Sequence, residues 1–174
     1  MTAPAGRFGT TKTAPQVKSG AWFKEGSYIV ETRLLKYEMS KNVKKKGIAN
    51  FVHEAIVVES SNPDVKPGAK RTHILQRKPG IAWDDLEPKF QASEGDINNL
   101  VSSVLQAMGV TKAQLDAMSI EDYDKAIESL VGPENPAGKA SARLKLVVTN
   151  IAVGTAGGVF SKHEYEPAPQ VKAA

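Results

Sequence analysis

Residues 26–79 decide the fold, and they read GSYIVETRLLKYEMSKNVKKKGIANFVHEAIVVESSNPDVKPGAKRTHILQRKP. Three runs within this stretch are rich in β-branched and aromatic residues with partial two-residue alternation, which is typical of strands. The predicted strands span residues 28–37, 48–59 and 70–78. A loop with four lysines joins the first two strands, and the turn sequence SSNPDVKPGA joins the second to the third. The stretch therefore predicts a three-stranded β-meander with a basic tip.

The hydrophobic period changes after the meander. Apolar residues recur at helical spacing from Ser93 to Met108, with Ser93 as a suitable N-cap and Gly109 as a stop signal. Two shorter helices are predicted at 111–117 and 120–131, before strands resume from Lys139 and, after a GTAGG hairpin loop, over 159–165. A β-sandwich has a similar number of strands. The single helical block between strands three and four favours an OB-fold.

We therefore predict a mainly β protein of the α+β class: a five-stranded OB-fold-like barrel with helices between strands 3 and 4. Residues 22–167 form this domain, and residues 93–131 form an acidic helical insertion within it. Residues 1–21 are expected to be a flexible basic N-terminal tail, and residues 168–174 a C-terminal tail.

Composition excludes several classes of protein. The 174 residues are enough to bury one sizeable core. The chain has no cysteine, so no disulfide framework or thiolate metal site is expected. No apolar run approaches the roughly 20 residues of a membrane span, and residues 1–16 lack the hydrophobic region of a secretory signal.

Charge is segregated along the chain. Residues 1–50 hold ten Lys and Arg against three acids, whereas residues 84–136 hold eleven acids against three Lys. The net charge of the whole chain is +4, which conceals this asymmetry. Segregation of this kind indicates a basic face that meets a polyanion and an acidic face turned elsewhere, although solvated charge runs are also common on surfaces.

Basic and aromatic residues on the meander are candidates for nucleic-acid binding, because single strands are bound by stacking aromatics and by cations that follow the phosphates. The strand candidates are Arg33, Lys36, Phe51, His53, Arg71, His73, Arg77 and Lys78. The loop candidates are Lys44, Lys45 and Lys46, which an OB-fold would place at the rim of its groove. Tyr28, Tyr37 and Trp83 are further possible platforms, and Phe51 and Tyr28 suit the core equally well.

Enzyme motifs are absent from the sequence. There is no P-loop, no GxGxxG and no Ser-His-Asp pattern, and Asp84, Asp85 and Glu87 have no partner motif. The three histidines lie on different predicted strands, and nothing in the sequence supports a metal site built from them. No catalytic, metal or cofactor site is therefore predicted, and the protein is not expected to be an enzyme.

Five segments together resemble the phage-encoded OB-fold single-stranded DNA-binding proteins. In chain order they are GSYIVETRLLKY, IANFVHEAIVVESSNPDVKPGAKRTHILQRK, GDINNLVSSVLQAMGV, NPAGKASARLKLVVTNI and FSKHEYEP. The resemblance covers roughly residues 25–167, and its most distinctive parts are the pattern ExxVxESxNPxxKPG and the segment NPAGKASARLKLVVTNI. It implies sequence-independent binding of single-stranded DNA in phage replication, recombination or repair, in the cytoplasm of the infected bacterial host.

Carried over by position, the resemblance implies contacts through Arg33, Lys36, Phe51, Arg71, His73, Arg77 and the three loop lysines. The sequence departs from replication-type members in its last residues, EPAPQVKAA, which do not form an acidic tail. Three interpretations of the acidic insertion stay open: a surface that recruits replication or recombination proteins, a wall that repels DNA toward the basic side, or a soluble cap on the barrel. Two other readings stay open: a β-barrel protein-interaction or virion structural module with a basic face, and an RNA-binding OB protein. The sequence sets no oligomeric state.

Overall fold

The computed structural model describes residues 22–153 and 158–169. The strands are β1 (Gly26–Met39), β2 (Ala49–Ser60), β3 (Lys70–Arg77), β4 (Arg143–Val153) and β5 (Gly158–Pro167). The helices are α1 (Pro88–Ala107), α2 (Lys112–Ala117), α3 (Ile120–Leu130) and α4 (Pro136–Lys139), with 3₁₀ turns at Val43–Lys45 and Trp83–Asp85. The helices therefore lie between the third and fourth strands in the chain.

The five strands form one antiparallel sheet in the order β3-β2-β1-β4-β5. The central strand β1 pairs with β2 along nearly its whole length, but with β4 only from Gly26 to Glu31. The register between β1 and β2 skips Arg33 on β1 and Val58 on β2. Bulges of this kind bend a strand and increase its twist, so they help to curl the sheet.

The core lies between the concave face of this sheet and α1. Alternate residues of β2 from Ala49 to Val57 are buried, and they meet the inward side chains of β1 and β4. The helical spacing predicted for α1 is confirmed, because its apolar residues face the sheet. They are Ile97, Leu100, Val101, Val104 and Leu105, all of them buried.

The outer strands β3 and β5 have no ladder between them in the described ranges. Helix α1 covers this gap with side chains. Asn99 donates through Nδ2 to the Tyr165 carbonyl (3.0 Å) and accepts from the Tyr165 amide (2.8 Å). Ser93 Oγ donates to the carbonyl of Gln76 (2.5 Å). The result is a mixed α+β fold with a curled, barrel-like sheet that is not closed by main-chain pairing.

Local signals explain most element boundaries. Thr111 forms the predicted capping box with Gln114, and the Ser119 hydroxyl accepts from the Asp122 amide at the start of α3. The predicted start of α1 at Ser93 was wrong, because the helix begins five residues earlier at Pro88. Proline suits the first helical turn, where its missing N–H would have no partner.

The chain after the insertion also differs from expectation. Residues near Lys139 form α4 rather than a strand, and β4 begins at Arg143. Asn135 starts α4 in a left-handed conformation (φ 44°), and its Nδ2 donates to the Arg33 carbonyl (2.6 Å). The amide then covers the edge of β1 where β4 has ended. Ala168, placed by the sequence in the C-terminal tail, is buried and donates to the Arg143 carbonyl (2.9 Å).

Some predicted features lie outside the described residues. These are the N-terminal tail up to residue 21, positions 154–157 of the hairpin loop, and residues 170–174. Among the described helices, none combines the length and the apolar character needed to cross a membrane.

Candidate nucleic-acid interface

A groove of about 610 Å³ lies between β3, the first turns of α1, β5 and the lysine-rich β1–β2 loop. We call it the β3–α1 groove. Its described cationic side chains are Lys44, Lys45 and Lys89, and its ring-bearing side chains are Trp22, Phe90, His73 and His163. Asp96 is the one carboxylate among the described lining residues. The groove thus combines positive charge with aromatic surface.

The lysine loop has a defined conformation. The Asn42 side chain accepts from the Lys44 amide (3.0 Å), and Ile48 donates to the Lys45 carbonyl (3.1 Å) to close the turn. Lys44, Lys45 and Lys46 are exposed, and none of them forms an ion pair with another described residue. Unpaired lysines on an ordered turn can meet phosphates without first breaking a salt bridge. Lys44 and Lys45 line the groove, whereas Lys46 lies beside it.

Trp22 provides the most exposed ring of the groove. Trp22 is 49% exposed, and its backbone forms a parallel bridge with Thr72 on β3. The next residue, Phe23, is buried against Tyr28 and packs edge-on against His163 of β5 (6.0 Å between ring centroids). Phe23 therefore anchors the segment, and Trp22 is held over the groove.

The start of α1 adds a second cationic and aromatic pair. Phe90 is buried at the groove floor, and Lys89 Nζ lies 5.0 Å from the centre of its ring. Lys78 Nζ lies 5.5 Å from the same ring and also contacts Glu87 Oε1 at 3.3 Å. Lys89 Nζ also contacts Glu87 Oε2 at 3.5 Å, so Lys78 and Lys89 share one carboxylate, and of the two only Lys89 lines the groove.

Two predicted contact residues lie in the core instead. Phe51 is 1% exposed and His53 is 0% exposed, because the odd-numbered positions of β2 face inward. Strand β2 has apolar residues on both faces, so its alternation did not reveal which face is buried. A buried ring cannot stack on a base, and Phe51 and His53 are therefore removed from the interface.

A chain of hydrogen bonds links four strands, β1, β2, β3 and β5, beneath the groove. The Thr32 hydroxyl contacts His53 Nε2 (3.0 Å), and His53 Nδ1 contacts the Tyr165 hydroxyl (3.2 Å). The same hydroxyl contacts His73 Nδ1 (3.0 Å), and the His73 ring stacks on that of His163 at 3.7 Å between centroids. The Tyr165 hydroxyl has a single proton, so it donates to one ring and accepts from the other.

Burial keeps this cluster uncharged. Desolvation is the main cause that lowers the pKa of His53 to about 3 and of His73 to about 2, and nearby His163 adds to the effect. Desolvation also lowers the pKa of His163 and raises that of Tyr165. The neutral rings therefore act as packing and hydrogen-bonding groups in the free protein.

The remaining predicted residues are distributed around the sheet. Arg33 lies at the bulge and contacts Glu31, while Lys36 pairs with Glu38 at 2.7 Å. Arg71 is half-buried on β3 and donates to the Lys70 carbonyl. Arg77 Nε pairs with Glu94 Oε1 at 2.8 Å and lies on the other flank of α1. The structure thus brings Lys44, Lys45 and His73 into the groove and leaves these four outside its lining.

Sequence reasoning missed Trp22, Lys89, Phe90 and His163 as a group. Trp22 stands ahead of the first predicted strand, and Lys89 and Phe90 stand between the third predicted strand and the predicted helix. The adjacent Lys89 and Phe90 were the one sequence feature that indicated a cationic and aromatic site in this region. The proximity of all four depends on how the sheet curls around α1.

The acidic helix α3 of the insertion lies on the other flank of α1, next to a second cavity of about 390 Å³. Tyr37 and Arg77 line its sheet side, and Asp124 and Glu128 of α3 line its outer side. The carboxylates of α3 are thus separated from the lysines of the β3–α1 groove by the helix α1. This arrangement keeps acidic and basic surfaces apart.

Neither the protein-family models nor the curated proteins compared with this chain match it. Within residues 22–153 and 158–169, no group of three or more His, Cys, Asp or Glu is placed to hold a metal ion. The three histidines do converge, but they converge on the Tyr165 hydroxyl.

Proposed function

We propose that this protein binds single-stranded DNA without sequence preference and has no enzymatic activity. The observation that carries the proposal is the β3–α1 groove, where Lys44, Lys45 and Lys89 surround an exposed Trp22. The unpaired Lys44 and Lys45, together with Lys89, which pairs with Glu87, attract the phosphate chain. An exposed indole offers a face on which any base can stack. Such a combination favours binding that tolerates every sequence.

The strand order supports an OB-fold-like barrel as the scaffold. An OB-fold is a partly open five-stranded Greek-key barrel whose strands 2 and 3 and whose loops bind oligonucleotides. The order β3-β2-β1-β4-β5, with the helices between β3 and β4, is the order expected for that barrel opened between β3 and β5. The stack of His73 on His163 and the side chains of α1 bridge that opening.

Electrostatic capture followed by stacking is the proposed mechanism. Three groove lysines that each neutralise one phosphate would give a slope of about −2 in log K against log salt, at roughly 0.7 per contact for single strands. One base on Trp22 would contribute about 1–3 kcal/mol. Affinity is thus expected to be moderate per protomer and to fall steeply with salt.

The biological setting follows from the sequence resemblance. We propose a role in phage DNA replication, recombination or repair, in the cytoplasm of the infected host. The acidic surface of residues 116–128 within the insertion is proposed as a recruiting surface for replication or recombination proteins, because Asp124 and Glu128 lie on the flank of α1 away from the groove. Neutralising the carboxylates of residues 116–128 should then abolish capture of such partners while DNA binding is retained; unchanged capture would contradict this role.

Competition between nucleic acids tests the function directly. Full-length protein is titrated with labelled oligo-dT and challenged with duplex DNA and with oligo-U at several salt concentrations. Preference for single-stranded DNA over duplex supports the proposal, and preference for oligo-U indicates the RNA-binding alternative. Failure to bind any of the three, or a flat salt response, would favour a protein-interaction or virion structural module.

A further inference from the structure

The stacked pair of His73 and His163 forms part of the lining of the β3–α1 groove. Among the described residues, each ring uses only Nδ1 in hydrogen bonding: His73 to the Tyr165 hydroxyl (3.0 Å) and His163 to the Ser161 carbonyl (3.4 Å). Nε2 of both rings is therefore left for a ligand. Nδ1 of His163 carries the ring proton because it donates to the Ser161 carbonyl, so Nε2 can donate to an anion only once the ring has gained a second proton.

We propose that the His73–His163 pair is a phosphodiester subsite that takes up a proton when a nucleic-acid strand enters the groove. This inference rests on the proposed function, since the strand supplies the anion. Two positive rings stacked at 3.7 Å repel each other, so the free pair resists charging. A phosphate placed against Nε2 offsets that repulsion and accepts a charge-assisted hydrogen bond.

Some charged groups around the His73–His163 pair oppose its protonation, and others favour it. Lys44 and Lys45 from the loop and Lys89 from α1 oppose protonation of the pair until phosphates neutralise them. Asp96 from α1 favours it, and the pKa of Asp96 is itself raised, chiefly by desolvation. The Tyr165 hydroxyl, on β5, contacts His73 of the pair and also His53 on β2. Burial keeps both His53 and Tyr165 neutral. Entry of the strand therefore shifts the balance toward the charged form, and His163, the less buried ring, is the proton acceptor.

Binding and proton uptake are linked, so the affinity for DNA must rise as pH falls. One proton gained per strand gives at most a tenfold gain in affinity per pH unit. Oligo-dT is the probe, because thymine and the phosphodiester do not titrate between about pH 5.5 and pH 8. Affinity of the full chain is measured across this range at constant salt, and proton uptake is measured by calorimetry in buffers of different ionisation enthalpy.

Three variants distinguish the possible causes of a pH-dependent affinity for oligo-dT. His163→Gln should abolish most of the pH dependence, while Lys45→Gln should weaken binding by a similar factor at every pH. Asp96→Asn removes the other titrating group of the groove and should leave the pH dependence in place. Thermal unfolding of each variant is followed at the same pH values, so that binding is compared only between folded proteins.

A direct readout needs no variant. The imidazole C2 protons of His73 and His163 are titrated by NMR with and without oligo-dT, and the midpoint for His163 should rise on binding. The subsite would be overturned if the titration midpoint of His163 were the same with and without oligo-dT. It would also be overturned if the affinity of the His163→Gln protein for oligo-dT kept the full pH dependence. Complete absence of oligo-dT binding by the unmodified protein would instead overturn the proposed function.

Discussion

The ring of His73 on β3 stacks on the ring of His163 on β5 with 3.7 Å between centroids. This contact joins the two outer strands of the sheet at the place where main-chain pairing is missing from the described ranges. The same two rings line the β3–α1 groove. One pair of side chains therefore contributes both to bridging the open side of the sheet, together with α1, and to the lining of the groove.

Replacing Trp22 tests stacking. Trp22→Ala should weaken oligo-dT binding by roughly 5- to 150-fold, because one stacked base contributes about 1–3 kcal/mol. Trp83→Phe is the matched control, since Trp83 is 57% exposed and does not line the groove. Fluorescence titration of the Trp83→Phe protein should show quenching from Trp22 alone. Equal affinities of the Trp22→Ala and unmodified proteins would exclude the indole as a platform.

Removing two loop lysines tests phosphate contact. The Lys44→Gln/Lys45→Gln protein should show a salt slope that is shallower by about 1.4, at roughly 0.7 per lost contact. Lys66→Gln/Lys112→Gln removes the same charge from exposed positions outside the groove. Binding is measured by anisotropy at several salt concentrations. A similar loss of slope in both double variants would mean that net charge, not the loop, determines affinity.

Acid should destabilise the fold through the buried histidines. Burial holds the pKa of His53 at about 3, below its ordinary value of 6.5. Below pH 6.5 the His53 imidazole is protonated in the unfolded chain but stays neutral in the folded protein. The free energy of unfolding is therefore fully present above pH 6.5 and declines as the pH falls below that value. At pH 5 this fully buried ring alone costs about 2 kcal/mol. Urea midpoints from about pH 7.5 to pH 5 measure the decline, and a His53→Gln protein should show a shallower dependence.

Removing the Tyr165 hydroxyl should destabilise the protein by about 1–3 kcal/mol, because Tyr165→Phe leaves His53 Nδ1 and His73 Nδ1 without their shared partner. Tyr123→Phe deletes a part-buried hydroxyl that contacts Asn98 and Ser102 beside the second cavity, and should change stability by no more than about 0.5 kcal/mol. Urea denaturation compares the two. Equal effects would show that the hydroxyl of Tyr165 has no special role in the network.

Two glycines should respond to alanine in opposite ways. A Cβ at Gly138 would collide with the Arg33 carbonyl and the Asn135 side chain, so Gly138→Ala should cost about 1–3 kcal/mol. A Cβ at Gly95, within α1, has nothing within 4 Å, so Gly95→Ala should stabilise by about 0.5–1 kcal/mol. Thermal melts of the two variants check both signs. A neutral Gly138→Ala would mean that α4 does not pack tightly on β1.

Local physical chemistry was enough to predict the order of the five strands and of helices α1 to α3, whereas α4 was not predicted. Helical spacing located most of α1, and hydroxyl caps located the starts of α2 and α3 at Thr111 and Ser119. The meander was equally readable, because turns rich in Gly, Pro and Asn separate its strands. These features depend on neighbours within a few residues, so the chain itself specifies them.

The sequence did not predict which face of the meander packs against the core. Phe51, Ala55 and Val57 lie on one face of β2, and Val52, Ile56 and Val58 lie on the other, so two-residue alternation left both choices open. Packing against α1 decides between them. The same packing buries His53 and removes it from the surface.

The sequence by itself determined the strand count, the helical insertion and the separation of basic from acidic residues. Only the tertiary structure brought Trp22, Lys89 and His163 to the lysine loop and placed the three histidines around Tyr165. These residues are far apart in the chain, and their contacts arise from the curl of the sheet across α1. Periodicity reports which residues share a face, but only long-range packing decides which faces meet.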